Sequence, residues 1–390
     1  MLNAPLPHPV ESAHWHPVAA LTEVQAQPVA VQLLDQSLVV WRDEAGAVHA
    51  WADQCPHRGA RLSLGRVCAG RLECPYHGWQ FAPSGQCVRI PALPDFVPPA
   101  GHAARVFAVQ IWCELVWVCL QPGVAADFAL QGAQNIQDSG DAQATQATQA
   151  TQATQATQAT QEVQGTQGTQ GAPDATVHSS ARPLPQFEAE ADARLRKINC
   201  GPYDVATSAP RIVENFLDMA HFGFVHAGWL GARDTPEIPD YQVEPTPTGL
   251  VASGCKAWQP QSNLHSTRGA LVEYRYEVSG PYTAVLTKVP EAGSTAVQGW
   301  RESIALFICP MGQERSRVWF RLAVADFATD AAQLQAFQHT IFTQDQPVLE
   351  SQRPACLPLD VRAEAHTAAD KASAAYRRFL RQAGIRFGTC

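Results

Sequence analysis

Over the first 120 residues the apolar positions fall in short runs separated by turn-forming clusters. Residues 28–34 and 38–42 are rich in Val and Leu, and residues 47–52 follow the turn signal Asp43-Glu44-Ala45-Gly46. Such runs read as strands joined by tight turns. Residues 106–111 and 115–120 suggest a later hairpin. Beyond residue 184 both periods occur. Residues 212–226 have helical spacing, whereas 271–278 alternate, with Val272, Tyr274, Tyr276 and Val278 facing one way and Glu273, Arg275 and Glu277 the other. Residues 318–325 read as a further strand, and 331–342 and 363–383 as helices. The expectation is an all-β domain over 12–122 followed by an α+β domain over 184–390.

Between them, residues 142–161 contain only Ala, Thr and Gln, with TQA repeated five times from Thr145 to Ala159. A stretch without charge, aromatic or large aliphatic side chains cannot offset the entropy of ordering. Residues 123–183 therefore read as a disordered linker.

Composition narrows the function classes. The chain has 390 residues and a formal net charge of −8, so a nucleic-acid partner, which needs a basic face, is not expected. No apolar run reaches the roughly 18 residues of a membrane span; the longest, 111–120, is interrupted by Glu114. The N-terminus has no basic start followed by an apolar stretch, so it does not read as a secretory signal. Eleven irregularly spaced cysteines fit thiols or metal ligands in a reducing cytoplasm better than a disulfide framework.

Two loop motifs carry the first candidate chemistry. Cys55-Pro-His57-Arg-Gly and Cys74-Pro-Tyr-His77-Gly-Trp79 each supply one thiolate and one imidazole, with sixteen residues between His57 and Cys74. A [2Fe–2S] cluster of the Rieske type, with two Cys on one iron and two His on the other, satisfies this pattern. Neutral imidazoles raise its potential to roughly −150 to +300 mV. A Cys₂His₂ zinc loop uses the same ligand types, but zinc fingers usually place a CxxC pair before the His pair.

The second candidate is Asp218-Met-Ala-His221-Phe-Gly223-Phe-Val-His226. Asp218 and His221 would share a helix face. His221 and His226 are five apart, roughly 140° around an ideal helix, so the helix must distort or end for both to reach one ion; Gly223 eases that departure. Two histidines and a carboxylate form the facial triad of non-haem Fe(II) oxygenases. Asp345 is the favoured third ligand, with Asp326, Asp330, Glu350 and Asp360 competing on chemistry alone.

The order of CPHRG, CPYHGW, DxxHxxxxH and the later DxxxxE element resembles the α-subunits of Rieske non-haem iron oxygenases. The resemblance covers everything except the insert. The stretches CPHRGARLSLG, GQCVRIPALPD, LVWVCL and AYRRFLRQAGIRFGTC are similar to the short-chain monooxygenase branch, above all the hydroxylases of saxitoxin biosynthesis, and more distantly the chlorophyll-pathway Rieske monooxygenases. The resemblance implies a helix-grip-like catalytic domain. It implies that Cys55 and Cys74 bind one cluster iron and His57 and His77 the other, and that His221, His226 and Asp345 bind the catalytic Fe(II). Asp345 is selected because DQPVLE aligns with DxxxxE. Asp218 would bridge His77 of one subunit and His221 of the next in a head-to-tail homotrimer. An external NAD(P)H reductase, with or without a ferredoxin, would supply electrons, since GxGxxG is absent from this chain. With O₂ as co-substrate, a small organic substrate would be hydroxylated or oxidatively demethylated. A cis-dihydroxylating dioxygenase is the alternative within the enzyme class, and a pure Rieske electron-transfer protein the alternative outside it. Phe216, Phe222, Phe224, Trp229, Trp258, Trp300 and Phe307 are candidate pocket aromatics.

Overall fold

The computed structural model describes residues 8–121, 182–261, 264, 269–290 and 302–390. The linker expected at 123–183 lies, up to residue 181, outside the described residues, as does Trp300. The N-terminal part is all β. Strands β1 (Trp15–Ala20), β2 (Val29–Leu33), β3 (Gln36–Arg42), β4 (Val48–Ala52), β9 (Val106–Trp112) and β10 (Leu115–Cys119) form an antiparallel sheet in the order β1-β10-β9-β4-β3-β2. Between β4 and β9, four short strands make a second sheet: β5 (Arg66–Cys68), β6 (Arg71–Glu73), β7 (Gln80–Phe81) and β8 (Cys87–Arg89). These are two or three residues long, too short for alternation to reveal them in the sequence.

The C-terminal part is a seven-stranded antiparallel sheet of order β11-β17-β16-β15-β14-β13-β12, from β11 (Arg196–Val205) through β12 (Gln242–Thr246), β13 (Gly249–Gln259), β14 (Ala270–Gly280), β15 (Thr283–Pro290) and β16 (Glu302–Gly312) to β17 (Arg315–Val324). Its strands β16 and β17 are buried on both faces. Leu306, Ile308, Val318, Phe320 and Leu322 face the helices. Their alternating neighbours Ala305, Phe307, Cys309, Trp319 and Ala323 share a core with Trp117 and Val118 of the N-terminal sheet. This two-sided burial explains why these strands read as near-continuous apolar runs.

Three helix expectations need correction. The helix expected over 212–226 is instead a helix at Ala209–Leu217 followed by a separate turn at Phe222–Val225. Asp218 is extended (φ −87°, ψ 127°), and its Oδ1 accepts from the Ala220 amide; this local side-chain bond competes with the helical ladder. The helix expected at 331–342 runs on to Ser351 through Pro347. Its buried side, Leu334, Gln338, Ile341, Phe342, Asp345 and Leu349, gains more by continuing to pack than the missing proline N–H costs. The last helix begins at Lys371, not 363. A capping box in which Thr367 and Asp370 bond each other's backbone sets the start of the turn before it.

The helices Ala209–Leu217 and Lys371–Ala383 are tied by a nearly dry charge network. Arg377 Nε donates to Glu214 Oε1 at 2.6 Å and its Nη2 to Glu364 Oε2 at 2.5 Å, while Arg211 Nη2 donates to Glu364 Oε1 at 2.7 Å. The Arg211 and Arg377 side chains are each 2% exposed. The guanidinium of Arg211, with Arg377 behind it, holds the Glu364 carboxyl down to about 2. A depressed folded-state pKa contributes stability that is present above the unfolded value and lost as pH falls through the folded one. Arg377→Ala should lower unfolding free energy in urea by about 1.5–3 kcal/mol, because it leaves two half-buried carboxylates with Arg211 as their shared partner. It should also flatten the loss of stability expected of the wild type between pH 4.5 and about 2. A change below about 1 kcal/mol would contradict this account of the network.

Candidate active site

In the small four-stranded sheet two loops repeat one geometry. The Cys55 amide donates to Ala60 O and the Gly59 amide to Cys55 O; the Cys74 amide donates to Trp79 O and the Gly78 amide to Cys74 O. Each loop turns on a left-handed glycine, Gly59 at φ +73° and Gly78 at φ +69°, a conformation other residues adopt only with strain. The result places Cys55 and Cys74 inward, each 2% exposed, and His57 and His77 outward with ring centroids 4.6 Å apart. His57 stacks on Trp79 at 4.5 Å and 5°. Burial pushes the Cys55 thiol up to about 12, and the adjacent Cys74 sulfur adds to the effect. Two sulfurs side by side in a dry pocket are costly as thiolates unless a cation shares them. Two sulfurs inside and two imidazoles at the rim fit a Rieske cluster. The loop is braced by buried Asp53, which accepts from Arg61 Nε at 3.0 Å and from the Ser63 amide at 2.7 Å; sequence reasoning missed this role.

The second constellation also assembles. Metal-ligating atoms of His221, His226 and Asp345 lie within 4.8 Å of one another. Asp345 Oδ1 is 3.5 Å from His221 Nε2 and 3.2 Å from His226 Nε2. The other ring nitrogens are held from behind: His221 Nδ1 donates to Asp218 Oδ2 at 3.1 Å and His226 Nδ1 to Gln344 Oε1 at 2.8 Å. With the proton fixed on Nδ1, both Nε2 lone pairs converge on one point, the arrangement a divalent ion requires. Asn215 Nδ2 lies 3.4 Å from Asp345 Oδ1. Burial acts to lower the His226 pKa, but the hydrogen bond and charge of Asp345, with Gln344, outweigh it and raise it. The donor set fits one mononuclear iron.

The rival carboxylates are occupied elsewhere. Asp326 accepts from the Ala328 and Thr329 amides, Asp330 caps the long helix through the Ala332 amide, Glu350 bonds Gln346 and the Ala206 amide, and Asp360 pairs with Arg362. Gln344 and Asn215 were not singled out by sequence; for Gln344 the signal available was its position directly beside a candidate ligand.

The triad lines a chamber bounded by the sheet and the helix Ala331–Ser351. Its walls include Phe216, Phe222, Tyr274, Tyr276, Phe320 and Phe342, with Lys288 and Gln338 as further polar lining residues. Of the expected pocket aromatics, Phe216 and Phe222 line it. Phe224 and Trp258 are 52% and 42% exposed, Trp229 packs on Phe337, and Phe307 points through the opposite face of the sheet onto Trp117.

Comparison with known proteins agrees with both centres. Residues 14–108 match the family model of the Rieske [2Fe-2S] domain, and residues 205–385 that of the vanillate O-demethylase oxygenase C-terminal domain. A probable methylxanthine N7-demethylase, NdmC of Pseudomonas sp. (strain TJI-51), is 38% identical over 53% of this chain and 71% of its own length. The chain belongs to the Rieske non-haem iron oxygenases. The methylxanthine N1-demethylase NdmA of Pseudomonas putida is 28% identical over 94% of this chain and 88% of its own. A structure of Pseudomonas putida CBB5 NdmA with caffeine superposes with a TM-score of 0.71 at 26% identity, covering 95% of this chain and 90% of that one. As a Rieske oxygenase, the chain is the oxygenase component of a multicomponent system: it carries a [2Fe–2S] cluster and a mononuclear iron, uses O₂, and draws electrons from a separate reductase to oxidise a small organic substrate. No helix among the described residues is long and apolar enough to cross a membrane.

Gln344→Ala frees the His226 ring without touching a ligand atom. It should weaken binding of the mononuclear iron on the order of 10- to 100-fold in an iron titration, with the visible spectrum of the cluster unchanged. Unaltered iron affinity would contradict the role given to Gln344.

Proposed function

We propose that this oxygenase demethylates a small, uncharged nitrogen heterocycle of the methylxanthine kind. The observation that carries the reading is a three-donor metal cluster lining an apolar, aromatic-walled chamber; the methylxanthine demethylases named above give the substrate class. In this reading Cys55, Cys74, His57 and His77 hold the cluster, and His221, His226 and Asp345 the Fe²⁺. The bound centres supply single electrons and activate O₂ at the substrate. The net change is N–CH₃ plus O₂, two electrons and two protons giving N–H, formaldehyde and water.

The chain's own residues shape that reaction. Asp218 and Gln344 keep the Nδ1 protons in place, so neither imidazole can turn away from the centre. Asn215 keeps a hydrogen bond near Asp345 and restrains the carboxylate. The aromatic walls exclude bulk water, which limits unproductive reduction of O₂. Asp218 remains 28% exposed while bonded to His221, which supports its assignment as the carboxylate linking His221 to the cluster of a neighbouring subunit in a head-to-tail homotrimer. The division into a cluster domain over 12–122, an insert over 123–183 and a catalytic domain over 184–390 belongs to the same proposal. So does a reducing, cytoplasmic setting, supported by the irregular spacing of the eleven cysteines.

With a surrogate reductase and NADH, caffeine or theobromine should yield one formaldehyde per demethylated product. A ring diol carrying both atoms of labelled O₂ would overturn demethylation in favour of dihydroxylation. His226→Ala should abolish turnover and leave the cluster's visible and EPR spectra intact. Asp218→Asn should keep both metals and turn over far more slowly; near-normal turnover would refute the bridging role.

A further inference from the structure

The sheet face that lines the chamber is apolar rung after rung. Val278 pairs with Ala284, which pairs with Leu306; Tyr276 pairs with Leu286, which pairs with Ile304. The next rung breaks the pattern: Tyr274 pairs with Lys288, and Lys288 with Glu302. Lys288 Nζ lies 2.6 Å from Glu302 Oε2, with side chains 8% and 12% exposed. Lys288 lines the iron-side chamber, whereas Glu302 lines a second cavity that shares Lys288, Ile304, Phe337 and Gln338 with it.

Stability does not account for this pair. An apolar pair of similar volume is commonly as stable as a buried ion pair, and the alternation along β14 to β16 already specifies register. Its orientation suggests a use. Lys288 lines the chamber while Glu302 lines only the second cavity, so the chamber wall offers an oxygen acceptor a cationic donor. Lys288 is the one Lys or Arg among the described lining residues of the two cavities, whose carboxylates are Glu302, Asp326 and Asp345, and it is paired with the first of them. A carboxylate substrate would therefore find the cation already matched, while a carbonyl needs no net charge.

We propose that the Lys288–Glu302 pair orients substrate by a carbonyl oxygen, selecting uncharged cyclic amides and ureides over aromatic carboxylates. Lys288 is the specificity-determining contact, and Glu302 a positioning residue that acts through it. This rests on the demethylase reading of the same chamber and names the feature of the substrate that the chamber recognises.

The test is calorimetric binding to the full-length, iron-loaded chain, with caffeine, theobromine and 1-methyl-2-pyridone as neutral probes and 3-chlorobenzoate as the acid. The wild type should bind at least one neutral probe more tightly than the acid. Lys288→Met should weaken that neutral probe on the order of 10-fold, and for any probe that is turned over raise KM with kcat little changed. Glu302→Gln removes the carboxylate countercharge that Glu302 places on Lys288 and should strengthen 3-chlorobenzoate binding on the order of 10-fold, an effect that a purely structural role would not produce. The double variant Lys288→Met/Glu302→Leu keeps the rung filled and should bind the neutral probes as weakly as Lys288→Met, whether or not the single variant folds. Neutral-probe affinity within about twofold of wild type in the double variant would overturn the proposal, since a lost charged hydrogen bond is worth far more than that. So would a wild-type preference for the acid, or an unchanged acid affinity in Glu302→Gln. Binding of the pyridone but neither xanthine would remove the methylxanthine reading and leave the carbonyl contact standing. Binding of no neutral probe would end both.

Discussion

A single buried carboxylate must reach two imidazoles that lie five residues apart, and much of the catalytic half is arranged around that demand. Asp345 is 7% exposed and sits 3.2 and 3.5 Å from the two Nε2 atoms. To present His221 and His226 to one point, the helix Ala209–Leu217 stops at Asp218 and the chain re-enters a single turn. Opposite them, the buried side of the helix Ala331–Ser351 presents Asp345. Asp218, whose side-chain bond ends the first helix, also holds the Nδ1 proton of His221, so backbone geometry and ligand chemistry have a common cause there.

That convergence is supported by a sheet with two dry faces. The even-numbered side chains of β16 and the partners they meet on β17 close the chamber; the odd-numbered ones, Phe307 and Trp319 among them, pack against the N-terminal sheet. Burying a large apolar side chain is worth about 1.5–3 kcal/mol. The row of such side chains couples the cluster-bearing half to the iron-bearing half through packing, independently of residues 122–181. Movement of one half against the other would open that core.

Much of this could be read from residues, and the limits have physical reasons. The cysteines and histidines of CPHRG and CPYHGW are legible because cluster ligands need fixed spacing and a glycine at φ above zero, and Gly59 and Gly78 meet that need. The strand at 271–278 was legible because one of its faces meets water and the other the chamber. Strands β5 to β8 were not, since a three-residue strand has no period. The helix ends at Leu217 and Ser351 were misjudged because a side-chain bond at Asp218 and long-range packing around Asp345 overrode local propensity. Phe307 was assigned to the pocket because in a strand buried on both faces composition does not tell one side from the other. Gln344 and the Lys288–Glu302 rung escaped because their roles depend on partners more than a dozen residues away.

The account stands on two metal centres in one chain, held by separate ligand sets. The most direct measurement is the iron content of the full-length protein after anaerobic reconstitution, read together with the cluster's EPR signal. The geometry of Cys55, His57, Cys74 and His77 and of His221, His226 and Asp345 predicts three irons per chain, two of them in the spin-coupled cluster. Two irons per chain with a full cluster signal would contradict it and leave a protein that only transfers electrons.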